Sequence, residues 1–178
     1  MNCVDPETLK RDIKQYAKEI GIDKIGICSA EPFHELGEYL REHRRKGYES
    51  GFEEPDIAKR VDPSLTLSGA KSIIAIAMAY PSRMNGKVRQ APGAYRGVMA
   101  RVSWGRDYHH VLRDRLNKLR TFLVERVPTA KAEVMVDTGA LSDRAVAERA
   151  GIGWIGKNTS LITPEFGSWV YLGEIVTD

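Results

Sequence analysis

MVDTGALSDRAVAERAGIGWIGKNTSLITPEFGSWVYLGE, from Met135 to Glu174, sets the reading of the whole chain. Its apolar start, Ala132 to Val136, predicts a strand that stops at Asp137 and a Thr–Gly turn. Ser142 to Ala150 then predicts a helix, with Ser142 as N-cap and Gly151 as the glycine that ends it. Lys157 to Thr163 and Trp169 to Val176 are β-prone and predict two further strands. Two nucleotide motifs fall in this stretch by spacing alone. Gly151, Gly153 and Gly156 spell G-x-G-x-x-G, and Gly151 to Lys157 spell most of a P-loop. Both need a strand before the glycines and a helix N-terminus after them, so that backbone N–H groups meet phosphate. Here a helix comes first and a strand follows. Asn158 also stands where a P-loop needs Ser or Thr. Both nucleotide readings fail.

Strands and helices alternate outward from this segment. Asp5–Pro6 joins an N-cap to a first-turn proline, and Leu9, Ile13, Ala17 and Ile20 recur at helical spacing up to Gly21. Lys24 to Ser29 predicts a strand. Pro32 opens a helix through Leu36, Tyr39 and Leu40 that ends near Gly47. Residues 51–63 are turn-rich with little periodicity. Ser72 to Tyr80, the most apolar run, predicts a central strand. Residues 81–105 predict a loop, after which Asp107 caps a long helix carrying Val111, Leu112, Leu116, Leu119 and Leu123 on one face. The expected fold is α/β or α+β: three layers around a mixed sheet, in one domain over residues 1–178.

The 178 residues are 42% hydrophobic and 29% charged, which suits a globular domain with a sizeable core. No apolar run approaches the roughly 20 residues of a membrane span. The first residues lack the apolar stretch of a secretory signal. Two cysteines, Cys3 and Cys28, make no disulfide framework; Cys28 sits in an apolar run and is expected as a buried free thiol in a reducing cytoplasm. The net charge of +3 is unevenly spread. Between Pro81 and Arg106 there is no acid, while Arg83, Lys87, Arg89, Arg96, Arg101 and Arg106 fall there, with Tyr95 and Trp104 interleaved. Such a segment suits a polyanion with stackable bases. It equally suits a solvated loop balanced by acids elsewhere.

Asp137 has two readings: a ligand-facing acid at a strand end, where loops converge, or an Asx turn bonded to the amides of Gly139 or Ala140. Lys157, Asn158, Thr159 and Ser160 form either a polar rim around a planar ligand or an incidental tight turn. Adjacent His109 and His110 point about 100° apart on a helix and do not share an ion readily. His109 is expected to face a pocket and His110 solvent, with no metal site.

AGIGWIGKN (150–158), with VDTG (136–139) before it and GSWVYLGEI (167–175) after it, resembles the epoxyqueuosine reductases, cobalamin-dependent enzymes of tRNA modification. The likeness continues through DPSLTLSGAKSIIAIAMAYP (62–81) and WGRDYHHVLRDRLNKL (104–119), nearly the whole chain. It implies a nitroreductase-like, reductive-dehalogenase-like cobalamin-binding domain and reduction of epoxyqueuosine to queuosine in tRNA, with Asp137 as proton donor. It also implies base-off cobalamin without a protein histidine on cobalt. Arg60 or Lys157 would meet its phosphate, and Asn158, Thr159, Ser160 and Ser168 its amides. Tyr108, His109, Arg83, Lys87 and Arg89 would meet the substrate, the anticodon arm of tRNA. The family carries two 4Fe–4S clusters in a ferredoxin-like part, expected after residue 178. This chain has no C-x-x-C spacing to hold them, so sustained turnover by this piece alone is not expected. An electron-donor protein, a monomeric state and no membrane association complete the expectation. A corrinoid reductase of a small molecule and a non-catalytic RNA- or cobalamin-binding module stand as alternatives.

Overall fold

Residues 5–80, 92, 93, 95, 97 and 99–178 are described by a computed structural model. The chain runs α1 (Pro6–Glu19), β1 (Lys24–Ser29), α2 (His34–Arg45), α3 (Ile57–Val61), β2 (Ser72–Ala79), α4 (Tyr108–Arg126), β3 (Ala132–Met135), α5 (Asp143–Arg149), β4 (Trp154–Ile155), β5 (Leu161–Ile162) and β6 (Val170–Thr177). Short 3₁₀ turns follow α3 and precede α4. Among the described residues, no helix is long and apolar enough to cross a membrane.

Four strands form one sheet in the order β1-β2-β6-β3. Every pairing in it is antiparallel, with Ile74 opposite Ile27 and Ile175, and Met135 opposite Glu174. This corrects the expected mixed sheet. Alternation of strands and helices suggests parallel crossovers, but hydrophobic periodicity carries no strand direction. The long connections here return each strand antiparallel to its neighbour.

Side chains of β2 alternate between the two faces, because successive Cβ atoms of a strand point to opposite sides. Ile74 and Ile76 pack with Ile175 against Ile13 and Ala17 of α1 and Leu112, Leu116, Leu119 and Leu123 of α4. Ile73, Ala75 and Ala77 pack with Val176 against Phe33, Val146, Ala147 and Ile152 on the opposite face. The result is the three-layer arrangement expected. Gly26 permits the close approach of α5: a β-carbon there would overlap the carbonyl of Ala150.

Two local expectations change. Residues 51–63, read as turns, contain α3, whose first turn is capped by Asp56 accepting from the Ala58 amide at 2.9 Å. One turn and a half is too short to show a period. Lys157 to Ser160, read as strand, is instead the turn of a small hairpin that pairs β4 with β5. Gly156 donates its N–H to the Ser160 carbonyl, and Thr159 sits at φ 64°. Cys28 is a free thiol, partly buried, and that burial pushes its pKa up to about 11.

Candidate active site

Strand β3 ends at Met135, and two residues later Asp137 takes φ 56°, a left-handed conformation that costs a non-glycine residue energy. The Thr138 N–H bonds back to the Val136 carbonyl at 2.5 Å, closing a three-residue turn with Asp137 at its apex. Such strain persists only where surrounding contacts hold it, and it gathers at functional sites. The Asp137 side chain is 59% exposed. It meets His109 rather than the amides of Gly139 or Ala140, so the Asx-turn reading does not describe it.

Asp107, as expected, caps α4 by accepting from the His109 N–H at 2.9 Å. The same carboxylate faces His109 Nδ1 at 2.7 Å, while Nε2 faces Asp137 Oδ2 at 3.2 Å. Both ring nitrogens thus meet carboxylates, an arrangement that suits an imidazolium donating twice. The hydrogen bond to Asp107, then that to Asp137, raises the His109 pKa above its ordinary 6.5. Because the folded value is raised, the stability these contacts contribute is full below the ordinary pKa. It is lost as pH rises through the folded one. Asp107→Asn keeps a competent N-cap but removes the larger cause. The His109 ring-proton resonance is therefore expected to titrate lower in the variant; an unchanged midpoint would show that Asp107 is not the principal partner.

Asp137 opens onto a cleft of about 760 Å³ between the 137–143 loop, the N-terminus of α4, the start of β6 and residues 52–60. Tyr108 forms one wall, stacked on Tyr171 with ring centroids 4.4 Å apart, and Tyr171 contacts Tyr80 in turn. Burial, together with the neighbouring Asp137 charge, pushes the Tyr108 hydroxyl up to about 12. It therefore stays protonated as a hydrogen-bond donor across neutral pH. Gly139 and Ala140 contribute backbone and a methyl group, Leu141, Val170 and Leu172 apolar surface, and Arg60 and Arg144 positive charge.

The cleft brings together Asp137, Tyr108 and Arg60, with His109 joined to it through Asp137. It does not include Lys157, Asn158, Thr159, Ser160 or Ser168 among its lining. The first four occupy the hairpin turn, where Asn158 Oδ1 accepts from the Ser160 amide at 3.2 Å. One link joins turn to cleft: Arg144 donates to the Thr159 carbonyl. Ser168 follows Gly167 in the turn before β6. Arg83, Lys87 and Arg89 lie outside the described residues. Arg144, Asp143 and Tyr171 escaped the sequence reading, since nothing in their local pattern separates them from ordinary helix and strand positions. Glu174 had a visible signal, a lone acid inside an apolar strand.

A family model described as epoxyqueuosine reductase QueG, DUF1730, matches residues 60–138. An epoxyqueuosine reductase of Bacillus anthracis is 60% identical over 175 residues, covering 98% of this chain and 46% of that protein. Among solved structures, an epoxyqueuosine reductase with a tRNA-Tyr epoxyqueuosine-modified stem loop is 53% identical. It superposes with a TM-score of 0.93 over 97% of this chain and 46% of its own. The Bacillus subtilis enzyme, solved with an aspartate catalytic loop swung out of the active site, is 51% identical with a TM-score of 0.92, covering 97% of this chain and 46% of its own. A catabolic reductive dehalogenase shares the fold at 20% identity and a TM-score of 0.53, over 98% of this chain and 20% of its own. The chain spans about half the length of the curated relatives it matches. On the strength of these likenesses, running through nearly all its residues, the chain belongs to the epoxyqueuosine reductase family.

Proposed function

We propose that this chain forms the cobalamin-binding catalytic part of an enzyme that reduces epoxyqueuosine to queuosine in tRNA. The observation that carries the reading is Asp137: an acid at a strand end, strained, paired with His109 and opening into the cleft. Two C–O bonds of the epoxide break and a C=C bond forms. Two electrons enter, and the oxygen leaves as water with two protons. Asp137 passes to the oxygen, as the ring opens, a proton that it takes from the His109 imidazolium in contact with it. Tyr108, its ring held between Tyr171 and His109, donates a hydrogen bond at the same mouth.

The residues present fit the cofactor. The cleft is wide, with an apolar floor of Leu141, Val170 and Leu172. Arg60 and Arg144 suit the one phosphate of cobalamin, and the polar turn Lys157–Ser160, reached through Arg144, suits its amides. Ser168 would join them from the second glycine turn. Bound there, cobalamin supplies the two electrons. Two cysteines are too few to hold the two 4Fe–4S clusters of the family, so those clusters, and the donor protein that charges them, would act from outside residues 1–178. The tRNA stem loop on a solved relative supports an RNA partner, with Arg83, Lys87 and Arg89 contacting phosphate in the cytoplasm.

Two measurements test this. The chain incubated with cobalamin and desalted is expected to keep the visible spectrum of the base-off form. A colourless protein would contradict the reading, and a spectrum of nitrogen-coordinated cobalt would contradict the open cobalt face. Replacing Arg83, Lys87 and Arg89 together by Ala is expected to weaken binding of an anticodon stem loop. The salt-dependence slope should flatten by up to about 0.9 per lost phosphate contact. No tRNA affinity at any salt concentration would favour a small-molecule corrinoid reductase. An unchanged slope would return the segment to a solvated loop.

A further inference from the structure

Glu174 stands on the inner strand β6 between Ala75 of β2 and Met135 of β3, and is 1% exposed. Among the described residues it is the one ionisable side chain buried to this degree. With Leu172 and Val176 it lies on the face that α5 covers, and its carboxyl meets Asp143 in the first turn of that helix. Among the described residues, the remaining groups around it bring no cation. Cys28 of β1 is a raised thiol, Asp137 lies beyond Asp143, and Ala75 and Met135 are uncharged. Arg144 turns to the Thr159 carbonyl, and Arg149 to the carbonyls of Ser29, Glu31 and Pro32.

Glu174 Oε1 has no donor if both carboxyls are ionised. Two buried carboxylates in contact without a cation do not both ionise; one keeps a proton and donates it to the other. Burial raises both pKa values, most strongly that of Glu174. Asp143 is therefore the acceptor, in the first turn of α5 directly after the loop. The acid pair thus ties the sheet to the end of the loop that bears the strained Asp137.

We propose that a single proton shared by Glu174 and Asp143 latches the Asp137 loop, residues 137–142, onto the sheet, making Glu174 a positioning residue for the proposed proton donor. Its functional meaning rests on the reductase reading; the latch itself is a property of the chain. Loss of the proton to solvent leaves two buried anions that repel, drives Asp143 away from β6 and frees the loop. Because the folded pKa values are raised, the pair keeps at least one proton, and the latch holds, at and below the ordinary carboxylate range. It fails as pH rises through the raised value.

The test follows the backbone amides of Gly139 and Ala140 by NMR across pH, with the infrared carbonyl band of a protonated carboxyl recorded on the same chain. In the native sequence the amides are expected to shift together at a pH above the ordinary carboxylate range, with the infrared band lost in step. Glu174→Gln keeps a donor toward Asp143 but has no proton to lose. It is expected to hold the low-pH amide positions throughout and to show no such band. Loop amides that titrate in Glu174→Gln as they do in the native chain would overturn the latch. So would a native chain without a protonated-carboxyl band at neutral pH, a result that stands even if the variant does not fold. Neither readout uses cobalamin or tRNA. A failed latch therefore leaves the reductase reading intact, and a latched chain that cannot retain cobalamin fails that reading alone.

Discussion

Asp137→Asn is expected to slow single-turnover epoxide reduction by about 10²–10⁴-fold, the usual contribution of a positioned general acid. The substitution is chosen to leave everything else in place. Asparagine tolerates the left-handed backbone that Asp137 adopts at φ 56°, so the turn after β3 survives. Its carbonyl can still accept from His109, which faces the Asp137 carboxylate at 3.2 Å. What disappears is the proton that can be handed to the leaving oxygen. The rate is measured on cobalamin-loaded protein charged by a strong chemical reductant, with the cofactor spectrum taken from the same sample. A near-native rate would leave Asp137 as a turn residue. Loss of the cofactor spectrum would make it a support for the cleft, and the acid would have to be another group, with the His109 imidazolium in contact with it the first candidate.

Gly153→Ala is expected to destabilise the chain by about 1–3 kcal/mol, the range for overpacking, and to loosen the β4–β5 hairpin. A β-carbon at this position would overlap the carbonyl of Ile162 and come within 3.3 Å of the Thr163 Cα. Both obstacles are backbone, so no change of rotamer relieves them. The hairpin must open, and with it moves the Lys157–Ser160 turn and the Thr159 carbonyl that receives Arg144. Gly97→Ala serves as the control, since none of the described residues lies within 4 Å of its added carbon; there a change within about 0.5 kcal/mol is expected. Urea midpoints of the two variants decide the matter. Equal midpoints would show that the middle glycine of the AGIGWIG run is not held by close backbone contact.

Most of the layer structure was legible from pattern alone. The Ser72–Tyr80 run gave a central strand, and Leu112, Leu116, Leu119 and Leu123 gave the buried face of α4, because burial imposes a period that sequence records. Strand direction has no such record, which is why the sheet was expected mixed and is antiparallel. The hairpin turn was misread for a related reason. Asn158, Thr159 and Ser160 sit beside β-branched and apolar neighbours, and the glycines that force the reversal also fit a ligand loop. At the candidate site, Asp137 stood out because a strand visibly ended there. Its partnership with His109 crosses 28 positions of sequence and exists only once α4 and β3 lie side by side on β6. Arg144 entered the cleft for the same reason: its place depends on where α5 begins over the sheet.

The reductase reading meets its most direct test in one product analysis. An anticodon stem loop carrying epoxyqueuosine is mixed with the cobalamin-loaded chain and a strong chemical reductant, and the modified base is weighed by mass spectrometry. The account predicts loss of one oxygen atom from that base with the native chain and sharply less with Asp137→Asn. A reduced, cofactor-loaded chain that binds the stem loop yet returns the epoxide unchanged would contradict it.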